Sequence, residues 1–279
     1  MDNQISGENT RNFPMCRICP HNCVLQENKK GLCGIRENQD GKIVPLNYGI
    51  ISSYAIDPVE KKPLRRFFPG MSIMSVGGFG CNLRCPFCQN YHIALQTKQD
   101  GNYVLPSEVA EAAKKIPNNI GVAYTYNEPL INYEFIIDCA KEIKKAGLVN
   151  VLVTNGYIAK EALEPLLPLI DAANIDLKSF DDKFYKKIGG SLQPVLDTIK
   201  TASSHWHIEV TTLIIPGENE DIEPLAQWLA DIDPNIPLHI SRFFPAYKYS
   251  GKQATPPETI YRLCDIASKY LKYVYAGNI

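Results

Sequence analysis

The sequence is short of net charge: 29 Lys and Arg stand against 30 Asp and Glu, a formal balance of −1 over 279 residues. A chain so near neutrality is not a general binder of nucleic acid or of membrane surfaces by charge alone. No stretch approaches 18 consecutive apolar residues, so nothing in it reads as a bilayer-spanning helix. Met1 to Arg11 is polar and lacks the apolar core of a secretory signal, which points to the cytoplasm. No solenoid-type repeat or low-complexity tract is visible. The remaining composition, 45% apolar and 21% charged, excludes a mostly disordered chain.

Cysteine is the unusual component. There are nine: Cys16, Cys19, Cys23 and Cys33 near the start, Cys81, Cys85 and Cys88 in one tight group, and Cys139 and Cys264 alone. In a reducing compartment, clustered cysteines mark metal sites more often than disulfides. The odd total also argues against a complete set of disulfides. Cys139 and Cys264 lie in apolar helical patterns and read as core fillers.

Residues 12–70 look unlike the rest. They carry the four-cysteine group, several turn signals and short strand-like runs at Ile43–Leu46 and Gly49–Ala55. This reads as a small lobe, residues 1–70, in which a bound metal replaces missing apolar core. From residue 71 onward, strand-length apolar runs alternate with amphipathic helical stretches. The strands are expected at Ser72–Val76, Ile120–Tyr124, Asn150–Val153, Ala172–Asp176, His207–Ile214 and Leu238–Arg242. The helices are expected at Pro106–Ile116, Asn132–Ala146, Ala159–Ile170, Leu192–Ser203, Ile222–Ala230 and Pro257–Tyr270. Tyr273–Ala276 is a short closing apolar piece. Repeated βα units imply a parallel sheet covered by helices. Six units fill residues 71–279, where a closed eight-unit barrel typically needs about 250 residues. The expected fold is therefore α/β, a partial (β/α)6 TIM-like barrel with a small cysteine-rich N-terminal lobe. A doubly wound flat sheet is the alternative.

After the first of these strands the chain reads Gly77-Gly78-Phe79-Gly80, then Cys81-Asn82-Leu83-Arg84-Cys85-Pro86-Phe87-Cys88. Three thiols in a compact loop favour zinc or iron–sulfur. Structural zinc takes four protein ligands, and this loop supplies three. A four-iron cluster held by three thiolates keeps one iron open to a substrate or cofactor. A zinc loop completed from elsewhere is the competing reading. The spacing C-x3-C-x2-C, with an aromatic just before the last cysteine, resembles the radical S-adenosylmethionine (SAM) superfamily, over residues 71–279. The resemblance implies that Cys81, Cys85 and Cys88 bind a [4Fe-4S] cluster whose open iron chelates SAM. It also implies that Phe87 lies at the cofactor. One electron, from a donor such as flavodoxin or ferredoxin, would cleave SAM to methionine and a 5′-deoxyadenosyl radical. That radical would take hydrogen from a substrate.

Function in such folds sits at the C-terminal strand ends, and polar groups recur there. Tyr124-Thr125-Tyr126-Asn127-Glu128-Pro129 offers Glu128 to the amino group of SAM by a charge-assisted bond. It is similar to the family's Gly-Gly-Glu-Pro run, with Asn127 replacing the second glycine. An ordinary helix start is the competing reading. Thr154-Asn155-Gly156 and Asp176-Leu177-Lys178 resemble motifs of pyruvate formate-lyase activating enzyme. The resemblance implies that they line the methionine pocket, with Thr154 and Asp176 assisting a monovalent cation. Glu209, Thr211 and Leu213 share one strand face. Glu209 is expected on the ribose hydroxyls, against a structural ion pair as the alternative. His239 and Arg242 are expected near a substrate or cofactor carboxylate, with a core histidine as the alternative.

The thiols Cys16-x2-Cys19-x3-Cys23-x9-Cys33 suffice for a closed zinc site or a second iron–sulfur cluster. His21 reads as a surface residue or a substitute ligand. The segments Cys16–Cys23, Gly31–Arg36 and Asp57–Leu64 resemble the radical-SAM component of the AmmeMemoRadiSam system, a group commonly labelled pyruvate formate-lyase activating enzyme-like. No cysteine cluster of a ferredoxin-like insert follows the core motif. Many members of that group continue past Tyr275-Ala276-Gly277-Asn278 into a tail with a cysteine pair, whereas this sequence ends at Ile279. Lys61, Lys62, Arg65 and Arg66 form a basic run, read as a solvated face or a wall for an anionic partner.

The expected function is radical SAM oxidoreductase chemistry. The substrate would be a protein glycine, as in glycyl-radical activation, or a small molecule. A non-catalytic zinc-binding interaction module, for instance one binding RNA, is the alternative of another class. Neutral charge and the ordered strand-end motifs speak against it.

Overall fold

The computed structural model describes residues 13–96 and 101–279. The polar Met1–Arg11 segment lies outside the described residues. In chain order the elements are β1 (Arg36–Gln39), β2 (Lys42–Pro45), β3 (Ile50–Ile51), β4 (Ser53–Pro58), β5 (Ser72–Gly77), α1 (Tyr91–Ala94), β6 (Asn102–Tyr103) and α2 (Pro106–Lys115). They continue with β7 (Asn119–Tyr124), α3 (Tyr133–Lys145), β8 (Val149–Thr154), α4 (Lys160–Leu163), β9 (Ala172–Asp176), α5 (Asp182–Lys187) and α6 (Gln193–Ser203). The last are β10 (His207–Ile214), α7 (Glu223–Ile232), β11 (Leu238–Arg242), α8 (Pro257–Ala267) and β12 (Val274–Gly277).

Eight strands form the main sheet, in the order β12-β11-β10-β9-β8-β7-β5-β4. From β5 to β12 every pairing is parallel, and β4 runs antiparallel to β5. The six expected strands are all present as consecutive neighbours. Among the described residues no ladder joins β4 to β12, so the sheet is open. Tyr273–Ala276 belongs to a seventh parallel strand, because Val274–Gly277 pairs with Leu238–Ser241. Among the described residues no helix is long and apolar enough to cross a membrane.

Local chemistry explains the element ends. Pro106 opens α2 at the position where a missing N–H costs nothing, and Glu108 accepts from the Leu105 amide at 2.7 Å. Gly147, at φ +74°, ends α3. The helix expected over Ala159–Ile170 is shorter. It is α-helical only over Lys160–Leu163, then a 3-10 turn over Glu164–Leu166. Pro165 and Pro168 explain this, since each removes a helical donor and crowds the preceding turn.

The division expected near Gly70 meets a continuous arrangement. β4 joins the main sheet, and the chain after it lies on a sheet face. Val59 and Leu64, both fully buried, pack with Ile73, Ala123, Val151 and Ala172, and with Phe67 and Met71 beside them. The polar half of this plug centres on Glu209, also fully buried. Its carboxylate accepts from the Arg65 and Arg66 amides at 3.0 and 2.6 Å. It also meets Nε2 of His207 at 3.0 Å and of His239 at 2.6 Å. Asn174 donates to the Pro63 carbonyl at 2.9 Å and accepts from Thr211 Oγ1 at 2.9 Å.

This corrects two expected site residues. Glu209 and His239 stand near the starts of β10 and β11, away from the strand ends that carry the cysteines. The lone pairs that would meet ribose hydroxyls are taken by the chain's own amides and imidazoles. The structural ion-pair reading of Glu209 and the core-histidine reading of His239 describe what is seen. The basic run is likewise mostly engaged. Lys62 is buried against Asp57 at 2.8 Å, and Arg65 and Arg66 lie over the rings of Tyr275 and Tyr273.

Burial alone would raise the Glu209 carboxyl, but the two histidines and two backbone amides outweigh it and hold it down at about 2. Against an unfolded value near 4.3, the ionised group stabilises the fold by roughly 3 kcal/mol. Its pKa is depressed on folding, so this contribution is whole above about pH 4.5 and is lost as pH falls toward the folded value. Glu209→Gln should lower the urea midpoint clearly near pH 7, and the gap to the native chain should narrow from about pH 4.5 to about pH 3. A gap constant over that range would show that the charge does not hold the plug.

Candidate active site

The cysteine loop leaves the end of β5 through a run that demands glycine. A Cβ on Gly77 would stand 2.6 Å from the Thr125 carbonyl oxygen. Gly80 has φ +88°, and a Cβ there would collide with Ile35. Asn127 holds this run from the end of β7. Its Oδ1 accepts from the Gly78 amide at 3.1 Å, and its Nδ2 donates to the Gly80 carbonyl at 3.0 Å. Tyr126 has φ +73°, the conformation a glycine would take. Asn90 donates to the Tyr126 carbonyl at 2.8 Å, and the Lys62 ammonium lies 5.0 Å from the Tyr126 ring centre. Those contacts hold the strained residue in place.

Within the loop, Arg84 Nη1 donates to the Cys81 and Leu83 carbonyls at 2.6 and 2.9 Å, and its Nη2 donates to the Leu32 carbonyl. The Arg84 amide donates to the Ile188 carbonyl at 2.8 Å. Cys81 Sγ accepts from the Leu83 amide at 3.4 Å and from Asn155 Nδ2 at 3.7 Å. Burial raises all three thiols, Cys85 to about 11, so each stays protonated until a metal displaces its proton.

Behind the loop lies a buried polar relay. Glu128 caps the 3-10 turn over Pro129–Asn132, accepting from the Leu130 amide at 3.0 Å. It also accepts from Thr154 Oγ1 at 2.7 Å and from the Asn155 amide at 2.8 Å. Burial pushes its carboxyl up to about 7 against these bonds. Asn155 Nδ2 then reaches Asn82 Oδ1 at 2.9 Å, and Asn82 donates to the Tyr157 carbonyl at 2.7 Å. Glu128 is thus a strut between the ends of β7 and β8.

At the end of β9, Lys178 Nζ meets Asp176 at 3.0 Å. Burial works against the Lys178 charge, but the Asp176 carboxylate holds it protonated. Asn219 locks this end, donating to the Lys178 and Leu213 carbonyls at 2.7 and 2.8 Å. Phe87 is buried, with its ring centre 5.9 Å from that of Phe184 and 6.1 Å from that of Tyr249. The structure therefore brings Cys81, Cys85, Cys88, Asn127, Glu128, Thr154, Asn155, Asp176 and Lys178 to one end of the sheet. Thr211 stands between them and the Glu209 plug, bonded to Asn174.

The sequence pattern of the radical SAM superfamily matches residues 75–229. An uncharacterised protein of Methanocaldococcus jannaschii is 42% identical over 274 residues, which is 95% of this chain and 81% of that one. This chain belongs to the radical SAM superfamily. The pyruvate formate-lyase-activating enzyme of Clostridium pasteurianum is 29% identical over 162 residues, 56% of this chain and 67% of its own. Among solved structures, TYW1 with a lysine-pyruvate adduct bound is alike in fold. Its TM-score is 0.56 at 17% identity, over 78% of this chain and 84% of that one.

Membership in the radical SAM superfamily implies a [4Fe-4S] cluster and SAM. The donor set fits a thiolate-bound cluster. Three thiols share one loop, two N–H groups aim at the Cys81 sulfur, and the half-buried Lys178 ammonium favours a thiolate at Cys85. The N-terminal thiols Cys16, Cys19, Cys23 and Cys33 border one cavity, which Arg36 and Ile131 help to close. His21 also borders it but is turned to the core, with Nε2 2.8 Å from the Asn82 carbonyl oxygen and its ring edge-on to Tyr157.

Sequence reasoning missed Asn82, Arg84, Tyr157 and Asn219. Asn82 and Arg84 lie inside the motif itself, where only the cysteine spacing drew notice. The signal for Asn82 was an amide side chain beside a cysteine of the motif, in a loop short enough to bury it.

Asn127→Gly restores the family's residue but leaves the Gly78 amide and Gly80 carbonyl without their partner. The variant should lose about 1–3 kcal/mol in urea unfolding and hold iron less well. Unchanged stability and iron content would mean that Asn127 does not carry the loop.

Proposed function

We propose that this radical SAM chain cleaves SAM reductively and uses the resulting radical to take hydrogen from a substrate. Cys81, Cys85 and Cys88 would hold the cluster, which when bound would supply the electron for cleaving SAM to methionine and a 5′-deoxyadenosyl radical. The observation that carries the reading is the joining, at one sheet end, of a three-thiol loop with the Glu128–Asn155 relay and the Asp176–Lys178 pair.

The chain's own residues do the positioning. Lys178 offsets negative charge at the thiolates, and Asp176 fixes where Lys178 points. Asn155 donates to the Cys81 sulfur, while Glu128 holds the Asn155 backbone still. Phe87, Phe184 and Tyr249 give the site a hydrophobic wall, which a radical needs against quenching. Thr154 and Asp176 stand at neighbouring strand ends, where a monovalent cation would sit. Glu128 would keep SAM's amino group near through the one lone pair left on Oε2, in addition to its structural bonds.

The substrate we favour is a backbone glycine of a partner protein, on the strength of the similarity to a pyruvate formate-lyase-activating enzyme. A small molecule is the second reading. The electron donor would be flavodoxin or ferredoxin, and the setting cytoplasmic. The lobe's four thiols would hold zinc or a second cluster.

Reconstitution under anaerobic conditions, reduction with dithionite and addition of SAM should yield 5′-deoxyadenosine. Cys85→Ala should abolish it. Product formation surviving in Cys85→Ala, or absent from the native chain with a full complement of iron, would overturn the reading.

A further inference from the structure

The N-terminal lobe does not stand apart from the cysteine loop. On one side the Asn82 carbonyl oxygen meets Nε2 of His21, a residue bordering the lobe cavity, at 2.8 Å. On the other the Asn82 side chain meets Asn155, which donates to the Cys81 sulfur. Asn82 is also the covalent neighbour of Cys81. The Ala159 amide donates to the Ile18 carbonyl at 3.0 Å, fastening the lobe's first turn to the start of α4. One buried residue, Asn82, therefore links His21 at the lobe cavity to Asn155 and the Cys81 sulfur.

The lobe cavity is also bordered by a residue with an unpartnered buried N–H. Arg36 is 5% exposed and borders the cavity beside Cys16. Its two terminal nitrogens are paired with Glu134 at 2.6 and 2.7 Å. Its Nε is buried with no partner among the described residues. A buried N–H is costly unless something accepts from it. An anionic centre with sulfur acceptors in this cavity would satisfy it. Among the described residues, no three Cys, His, Asp or Glu side chains converge closely enough to hold a single metal ion. That holds for the Cys81 loop as well as for the lobe, and the four lobe thiols border one shared cavity.

We propose that Cys16, Cys19, Cys23 and Cys33 hold a four-iron cluster that relays electrons to the SAM cluster. The relay half of this proposal rests on the reading of the Cys81 loop given above; the metal-site half does not. One electron from reduced flavodoxin or ferredoxin reduces the lobe cluster. That electron then passes to the neighbouring SAM cluster, and the lobe cluster returns to its oxidised form. No bond is made or broken and no proton moves in the transfer. Four protein thiolates leave the lobe cluster no open iron, which suits electron transfer rather than substrate binding.

The test uses the whole chain, reconstituted anaerobically with iron and sulfide in the presence of equimolar zinc. Native protein should hold about eight irons, and Cys23→Ser and Cys85→Ala about four each. Full reduction of native protein should give a paramagnetic resonance spectrum broadened by coupling between two clusters, with the broadening lost in both variants. In Cys23→Ser, dithionite should still drive SAM cleavage, while cleavage driven by reduced flavodoxin should be lost. About four irons and one zinc in native protein would overturn the cluster, whatever the SAM result. Equal loss of cleavage with both reductants in Cys23→Ser would overturn the relay. Eight irons without SAM cleavage in native protein would instead sink the proposed function and the relay, leaving the lobe cluster standing.

Discussion

The site depends on how one buried carboxylate is satisfied. Glu128 sits where water cannot solvate it, so its oxygens must find donors within the chain. It finds them at the end of the next strand, in Thr154 and the Asn155 amide. That choice fixes Asn155, and Asn155 in turn fixes Asn82 and the Cys81 sulfur. The position of the first cysteine of the loop is thus set by a carboxylate on another strand. Such a network stiffens its members because breaking any link leaves a buried polar group unpaired.

The opposite side of the strand layer is closed by a similar device. There Glu209 gathers two imidazoles and two amides, and the amides belong to the segment between β4 and β5. The result is a plug of the chain's own backbone, with Val59 and Leu64 supplying the apolar part. A sheet face closed this way leaves chemistry to the strand ends. Two buried glutamates on one sheet therefore have different jobs, and their titration differs accordingly. Glu209, surrounded by donors, is held low at about 2, whereas Glu128, with fewer donors and Asp176 nearby, is pushed up to about 7.

Much of this was legible from residue order. The alternation of apolar runs gave the six central strands and their parallel neighbours, since period and length are local properties. The cysteine spacing pointed to the loop because it too is local. What escaped was set by partners distant in sequence. Glu209 reads as a site residue until Arg65 and Arg66, more than 140 positions earlier, occupy it. β4 and β12 overlap the apolar runs expected at Gly49–Ala55 and Tyr273–Ala276, but their places in the main sheet are set by partners distant in sequence. Pro165 and Pro168 did announce the break in α4, but an apolar helical pattern spoke more loudly.

The departure from the family's glycine pair shows how such a loop can drift without losing its shape. The backbone still requires a left-handed turn there, and Tyr126 makes it at φ +73°. A side chain in that region is strained by about 1–3 kcal/mol. The structure offsets this locally, with Asn90 on the Tyr126 carbonyl and Lys62 over its ring. Asn127 then adds two side-chain bonds to the Gly78–Gly80 run that a glycine could not make. The pair exchanges backbone freedom for side-chain contacts, one of which comes from Lys62 in the segment that also leads into the Glu209 plug. The loop and the plug are in this way tied to one stretch of chain, so the N-terminal segment is part of what shapes the cysteine loop.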